Sequence, residues 1–396
     1  MKWRTMGCAL LLWLAGFIFP TAAGADQAPR QCAQPVDAAA KQTMLVDPRM
    51  PSLRPLAQGR GIRVAVIDTG VAAHSRLTHV VSAADLFEPD RPDPLRDCDG
   101  HGTVVAGIIA DREAGYAPEA EILSIRQSST TADAKGTLAS LAKGIDIAVD
   151  KGAHVINISL VGCVPAADVL RFDTRDLDAA LDRAEKAQVV VVAAAGNTSS
   201  QCTADSVVFP AHSKTVIAVS ARSDASTIAD YSLPPPEYKR QISAAGSLAV
   251  GLSTTPPKLA TAMTTGSTET SFTGTSFAAP HVSGTAALLK ERHPTATAAQ
   301  IRDALYATTV PAHHALNPLA AVSATLEAPT TSTRQNITAT APASKNEDGK
   351  MTAKSIIAAQ LAIAAVGLAI AGVKKTPGPA PAGSRSSSRP RRSRRK

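Results

Sequence analysis

From residue 59 onward, short runs of β-branched and apolar residues alternate with longer stretches in which apolar side chains recur every three to four positions. The runs at 63–67 (RVAVI), 122–126, 155–160, 189–194 and 216–220 read as strands. The stretches 102–110, 137–149 and 177–187 read as helices, and Leu138, Leu141, Ile145 and Ala148 share one face of the second. The strand runs are nearly continuous in apolar residues instead of alternating with polar ones. Such strands need cover on both faces, which predicts an α/β fold with a parallel sheet sandwiched by helices. Residues 26–58 are polar, contain prolines and show no long period, so they read as an extended N-terminal arm leading to a domain at 59–325.

The two ends of the chain have a different pattern. Lys2 and Arg4 precede an apolar run at 10–19, and Ala23-Gly24-Ala25 supplies small residues, so 1–25 reads as a secretory signal cleaved after Ala25. Residues 326–354 are rich in Thr, Ala and Pro and read as a linker. The 19 residues 355–373 then carry no charge, and Gln360 is their one strongly polar side chain. At about 1.5 Å per residue that length crosses a hydrocarbon core of roughly 30 Å, which predicts a transmembrane helix. The tail 374–396 holds nine Lys and Arg and no acid. Basic residues beside a span mark its cytoplasmic side and favour acidic lipid, which places the preceding domain outside a cell membrane crossed once. Taking those nine charges from the net +8 leaves −1 for the rest of the chain, so no basic face for nucleic acid is expected.

Cys8 leaves with the signal, and Cys32, Cys98, Cys163 and Cys202 remain. Four cysteines in an exported chain suggest two disulfides, with three pairings open. No C-x-x-C pair, His-x-x-x-His pair or calcium loop is present, so neither a metal nor another cofactor is expected.

Three segments carry candidate chemistry. Asp68 directly follows the run 63–67 and precedes Thr69-Gly70. His101 sits between Gly100 and Gly102 at the start of a helix. Ser276 follows Gly274-Thr275 and opens another helix. Singly, each has an ordinary explanation: a turn residue, a loop residue, an N-cap. Together they supply what acyl transfer by a serine needs, namely a nucleophile, a base and a carboxylate that fixes the imidazole tautomer. In an α/β sheet such groups converge at the carboxyl ends of strands.

In this order, with VAVIDTG, DGHGT and FTGTSFAAPH around them, the three residues resemble the subtilisin-like serine peptidases over about 59–325. The resemblance implies Asp68, His101 and Ser276 as the triad of a serine endopeptidase acting on peptide or protein substrates. Val192-Ala193-Ala194-Ala195-Gly196-Asn197 is similar to the family's oxyanion segment, which implies the Asn197 amide and the Ser276 backbone N–H as oxyanion donors. Ser159, Leu160, Val161 and Gly162 correspond to the family's substrate-binding edge. Two glycines usually follow Leu there. Val161 instead brings a stiff branched side chain, which implies a preference for small residues beside the cleaved bond.

The signal, the arm, Asp97-Cys98-Asp99-Gly100-His101, the linker, the span and the basic tail resemble the mycosins, the membrane-anchored subtilisin-like proteases of type VII secretion systems. That narrower resemblance implies a type VII secretion membrane complex as partner. It also implies an arm wrapped on the catalytic domain, with Cys32 paired to Cys98 and Cys163 to Cys202. The alternative is a mainly structural component of the complex with restricted proteolysis. An α/β-hydrolase esterase would carry G-x-S-x-G and the order Ser, Asp, His, and the chain has neither.

Overall fold

A computed structural model describes residues 32–129 and 136–326. Two short elements come first, β1 (Gln34–Asp37) and α1 (Met50–Leu53). The body follows as β2 (Arg63–Asp68), β3 (Val80–Asp85), α2 (His101–Ala110), β4 (Glu121–Arg126), α3 (Leu138–Asp150), β5 (Val155–Ile158), β6 (Gly162–Pro165), α4 (Arg175–Lys186), β7 (Val190–Ala194), β8 (Ser206–Phe209), β9 (Ile217–Arg222) and β10 (Ile242–Ala245). Then come the two-residue strands β11 (Ser247–Leu248) and β12 (Gly251–Leu252) and the hairpin β13 (Leu259–Thr265) to β14 (Thr268–Thr273). Helices α5 (Thr275–Arg292), α6 (Ala298–Ala307) and α7 (Pro318–Ser323) complete the described part.

Seven strands form one parallel sheet in the order β10-β9-β7-β5-β2-β4-β3. Successive side chains of a strand point to opposite faces, and β2 shows why its sequence has no polar gap. Val64 and Val66 pack with Ile108 and Ile109 of α2 and Val282 and Leu289 of α5. Ala65 and Ile67 pack on the other face with Leu141 and Ile145 of α3 and Leu177 and Leu181 of α4. A fully buried Val or Ile side chain contributes about 1.5–3 kcal/mol, so a polar substitution on either face would lose that amount and also desolvate a polar group. Helix α3 starts at a capping box in which Thr137 and Ser140 satisfy each other's backbone N–H, and it buries Leu141, Ile145 and Ala148 as its spacing predicts.

Each of the eight elements read from the pattern is present, with ends shifted by one or two residues. The largest consequence is at 155–160: β5 ends at Ile158, so Ser159 and Leu160 leave the sheet. The pattern does not reveal the second, antiparallel sheet, β1-β13-β14-β11 with β12 on β13. In β14 the residues Thr268, Glu269, Thr270 and Ser271 are exposed, so no hydrophobic period marks the strand.

Residues 32–58 are bound to the domain along their length. Strand β1 pairs with β13, Gln34 opposite Thr264 and Val36 opposite Ala262. Ala33 N–H donates to the Cys98 carbonyl at 2.8 Å. Met44, Met50, Leu53 and Ala57 are buried in the core on the α2–α5 side of the sheet. At the end of this segment, the N–H groups of Gln58, Gly59 and Arg60 all donate to the Glu291 carboxylate of α5. Cys32 is bonded to Cys98, with Cα atoms 4.4 Å apart, and Cys163 to Cys202, with Cα atoms 5.4 Å apart. The second bond closes the small β6–β8 sheet against the turn after β7. No helix among the described residues is long and apolar enough to cross a membrane. The signal at 1–25, the linker after 326, the span at 355–373 and the basic tail lie outside the described residues.

Candidate active site

Three neighbouring strands, β2, β5 and β7, end on the same side of the parallel sheet, and the candidate residues Asp68, Ser159 and Asn197 follow at or just past their ends. Asp68 is the last residue of β2 and is fully buried. Its Oδ1 accepts from the Thr69 N–H at 2.8 Å and lies 2.7 Å from His101 Nδ1. That bond puts the Nδ1 proton against the carboxylate and leaves Nε2 as the basic nitrogen. His101 is the first residue of α2, with its side chain 17% exposed. A Cβ at position 102 would fall 2.0 Å from the Gly70 carbonyl, so glycine is required for α2 to start this close to the end of β2.

The loop before His101 is organised by Asp97. Its carboxylate accepts from the Thr69 hydroxyl (2.8 Å), the N–H groups of Asp99 (3.2 Å) and Gly100 (2.9 Å), and the N–H and hydroxyl of Thr103 (2.8 and 2.6 Å). Burial pushes the Asp97 carboxyl up to about 6 against those donors, so it is charged above that pH. Burial, the largest single influence, disfavours the His101 imidazolium, and the field of the Asp68 carboxylate and the bond to it oppose burial. With Asp97 and Asp99 adding to the same field, the His101 pKa lies above its ordinary value of 6.5.

This sets a pH dependence. A general base works only when unprotonated, so with His101 as the base activity is expected to fall as pH drops through its raised pKa. The acid limb of kcat/KM against pH is expected on the alkaline side of about 6.5, the value for a free imidazole. A limb centred below that value would contradict the assignment of His101 as the base.

Ser276 is the second residue of α5, reached directly from β14 through Gly274, and it is half-buried. The ring of Phe277, the next residue, packs 5.1 Å from the His101 ring at a 49° tilt. The start of α5 is held from β7. Thr275 N–H and its hydroxyl donate to Asn197 Oδ1 at 2.9 and 3.0 Å, and Gly196 N–H donates to the Thr275 hydroxyl at 3.1 Å. Those two bonds occupy the oxygen of the exposed Asn197 amide and leave its NH2 to donate elsewhere. A Cβ on Gly274 would come 3.0 Å from Asn197 Nδ2, so glycine there keeps the amide seated. The N–H groups of Thr275 and Phe277 are already bonded, to Asn197 Oδ1 and the Gly274 carbonyl, and the Ser276 N–H between them has no acceptor within the helix.

The four residues read as a substrate edge separate in the structure. Ser159 is 2% exposed and its hydroxyl donates to the Ser276 carbonyl at 2.9 Å, so this side chain is turned to the start of α5. Leu160 and Val161 are half-buried, and Val161 packs against apolar groups from both sides of the sheet. Gly162 is exposed and already paired with Phe209 across β6 and β8. The hydrogen-bonding parts of Asp97, Thr69 and Thr275 were not anticipated from the sequence. The signal for Asp97 was the D-C-D-G run itself, in which an acidic side chain two and three residues before backbone N–H groups closes a turn. Among the described residues no group of His, Cys, Asp and Glu is arranged to hold a metal.

The chain matches the subtilase family model of peptidases over residues 59–349, past residue 325 where the sequence pattern ends the domain. It is 41% identical over 293 residues to Mycosin-4 of Mycobacterium tuberculosis, a match covering 65% of this chain and 61% of that protein. The MycP3 protease from the type VII (ESX-3) secretion system superposes with a TM-score of 0.66 at 32% identity, covering 74% of this chain and 92% of that one. A chain of the intact ESX-5 inner membrane complex superposes with a TM-score of 0.64 at 28% identity, covering 87% of this chain and 94% of that one. With the parallel sheet and its residue-bearing edge, these matches make the chain a member of the subtilase family.

Proposed function

We propose that this protein is a mycosin-like serine endopeptidase of a type VII secretion membrane complex, with Asp68, His101 and Ser276 as its triad. The observation that carries the catalytic reading is the 2.7 Å bond between the buried Asp68 carboxylate and His101 Nδ1, at the sheet edge where α5 begins with Ser276. Ser276 Oγ attacks the substrate carbonyl while His101 Nε2 takes its proton. Asp68 stabilises the imidazolium and does not itself take the proton. The oxyanion receives the Asn197 NH2 and the Ser276 N–H. His101 then protonates the leaving amine, and water attacks the acyl-enzyme by the same relay. Leu160, Val161 and Gly162 border the substrate backbone, with Val161 narrowing the space for the residue before the cut.

The membrane reading rests on the uncharged run 355–373 and the basic tail, and on the similarity to a chain of an inner membrane complex. The catalytic domain is extracytoplasmic, 326–354 is its tether, and the tail faces acidic lipid in the cytoplasm. Protease added to spheroplasts should cut within 326–354 and spare a tag placed after Lys396; the reverse pattern would refute this topology. A second reading has its own support. The similarity to the ESX-5 complex spans 94% of that chain, so a stabilising part in an assembly independent of proteolysis is a serious alternative. Secreted proteins from wild-type, Ser276→Ala and deletion strains separate the two. The catalytic reading predicts unprocessed substrates in both mutants. Secretion lost only in the deletion, with every secreted protein normally processed in Ser276→Ala, would leave the structural reading alone.

A further inference from the structure

Helix α5 contains a proline one turn after the nucleophile. Pro280 has no N–H, so the carbonyl of Ser276, four residues earlier, lacks the donor that an α-helix ordinarily supplies. The Ser159 hydroxyl donates to that carbonyl at 2.9 Å. Ser159 Oγ in turn accepts from Asn157 Nδ2 at 2.8 Å. Asn157 Oδ1 accepts from the Ser283 hydroxyl, also at 2.8 Å. Asn157 and Ser283 are fully buried and Ser159 nearly so.

The chain of bonds therefore leaves α5 at Ser283, crosses to the central strand β5 at Asn157, and returns to α5 at Ser276. Three side chains of this kind cost stability in a core unless each polar group is matched, and here the successive donors and acceptors match. Apolar residues would fill the same space without that requirement. What the polar chain adds is direction: it ties the first three turns of α5 to the end of β5 at two points. One of those points is the backbone of the residue that carries the nucleophilic oxygen. The Ser276 carbonyl and its Oγ are joined through one Cα, so fixing the plane of the first restricts where the second stands relative to His101.

We propose that Ser159, held by Asn157, is a positioning residue for Ser276, and that its hydroxyl replaces the donor missing at Pro280. The inference rests on Ser276 being the nucleophile. A misplacement of the reacting group well under 1 Å changes rate more than binding. Ser159→Ala is thus expected to lower kcat about tenfold, with KM changed less than twofold and the thermal unfolding midpoint still cooperative. The decisive arm is the double variant Ser159→Ala/Pro280→Ala. Alanine at 280 returns a backbone N–H to the Ser276 carbonyl from within the helix, and kcat should recover at least threefold over Ser159→Ala alone.

A merely structural Ser159 would not be rescued by a change at 280. Unchanged kcat in Ser159→Ala, or no recovery in the double variant, would overturn the proposal. If Ser159→Ala does not accumulate in folded form, Ser283→Ala at the far end of the chain is expected to lower kcat about threefold at constant KM, and unchanged kcat there would overturn it equally. Failure of the underlying reading is distinguishable, because Ser276→Ala would then retain turnover.

Discussion

Ser276→Ala is expected to reduce kcat by about a millionfold, the scale of loss known for the nucleophile of subtilisin, while the protein stays folded. His101→Ala should cost about as much, and the double variant no more than either alone, because the two act in one proton transfer. Asp68→Ala should cost less, by about 10⁴, since the imidazole retains some basicity without its carboxylate. It also removes the partner that raises the His101 pKa, so residual activity should persist to lower pH than in the wild type. The folded state should survive Ser276→Ala, because the side chain is half-buried and no hydrogen bond of the described core depends on its hydroxyl. Turnover of a peptide substrate, with unfolding followed in parallel, checks each variant. Near-wild-type turnover in Ser276→Ala with an intact fold would remove the assignment.

Asn197→Ala should lower kcat by about 10²–10³ with little change in KM. An oxyanion donor acts on charge that develops only in the transition state, so its loss appears in kcat and not in ground-state binding. The structure adds a complication that the motif alone does not contain. Asn197 Oδ1 also accepts from Thr275 N–H and hydroxyl, so alanine removes both the donor and part of the anchor of α5. Asn197→Asp separates these effects. It keeps an acceptor for Thr275 but replaces the NH2 with a negative oxygen beside the oxyanion. If the donor is what matters, Asn197→Asp should be at least as slow as Asn197→Ala. Asn197→Asp restoring most of the wild-type kcat would mean that anchoring Thr275 is the residue's main task.

The parallel sheet was readable because its strands are buried on both faces. Val64, Ala65, Val66 and Ile67 are each no more than 1% exposed, so every position had to be apolar and the run stood out. The β13–β14 hairpin was not readable for the opposite reason: its outer face meets solvent and is built from Thr, Ser and Glu. Strand β1 is four residues long and exists through its partner, so local sequence holds too little to mark it. The resemblance to the subtilisin-like peptidases pointed to Asp68, His101, Asn197 and Ser276 without the fold. It could not assign the direction of the Ser159 side chain, because a residue just past a strand end is free to turn either way and packing decides. Asn157 reads as an ordinary polar residue in an apolar strand, and only its bonds to Ser159 and Ser283 explain its place in the core. The cysteine pairing was open in the residues themselves and came with the mycosin resemblance; the structure carries the same two bonds.

The central claim is that Ser276 is a nucleophile activated by His101. It is tested most directly by labelling the protein with a fluorophosphonate and mapping the modified peptide by mass. The account predicts one rapidly labelled site, on Ser276, with labelling lost in Ser276→Ala and slowed by orders of magnitude in His101→Ala. Labelling at another residue, or at Ser276 with an undiminished rate in His101→Ala, would contradict it.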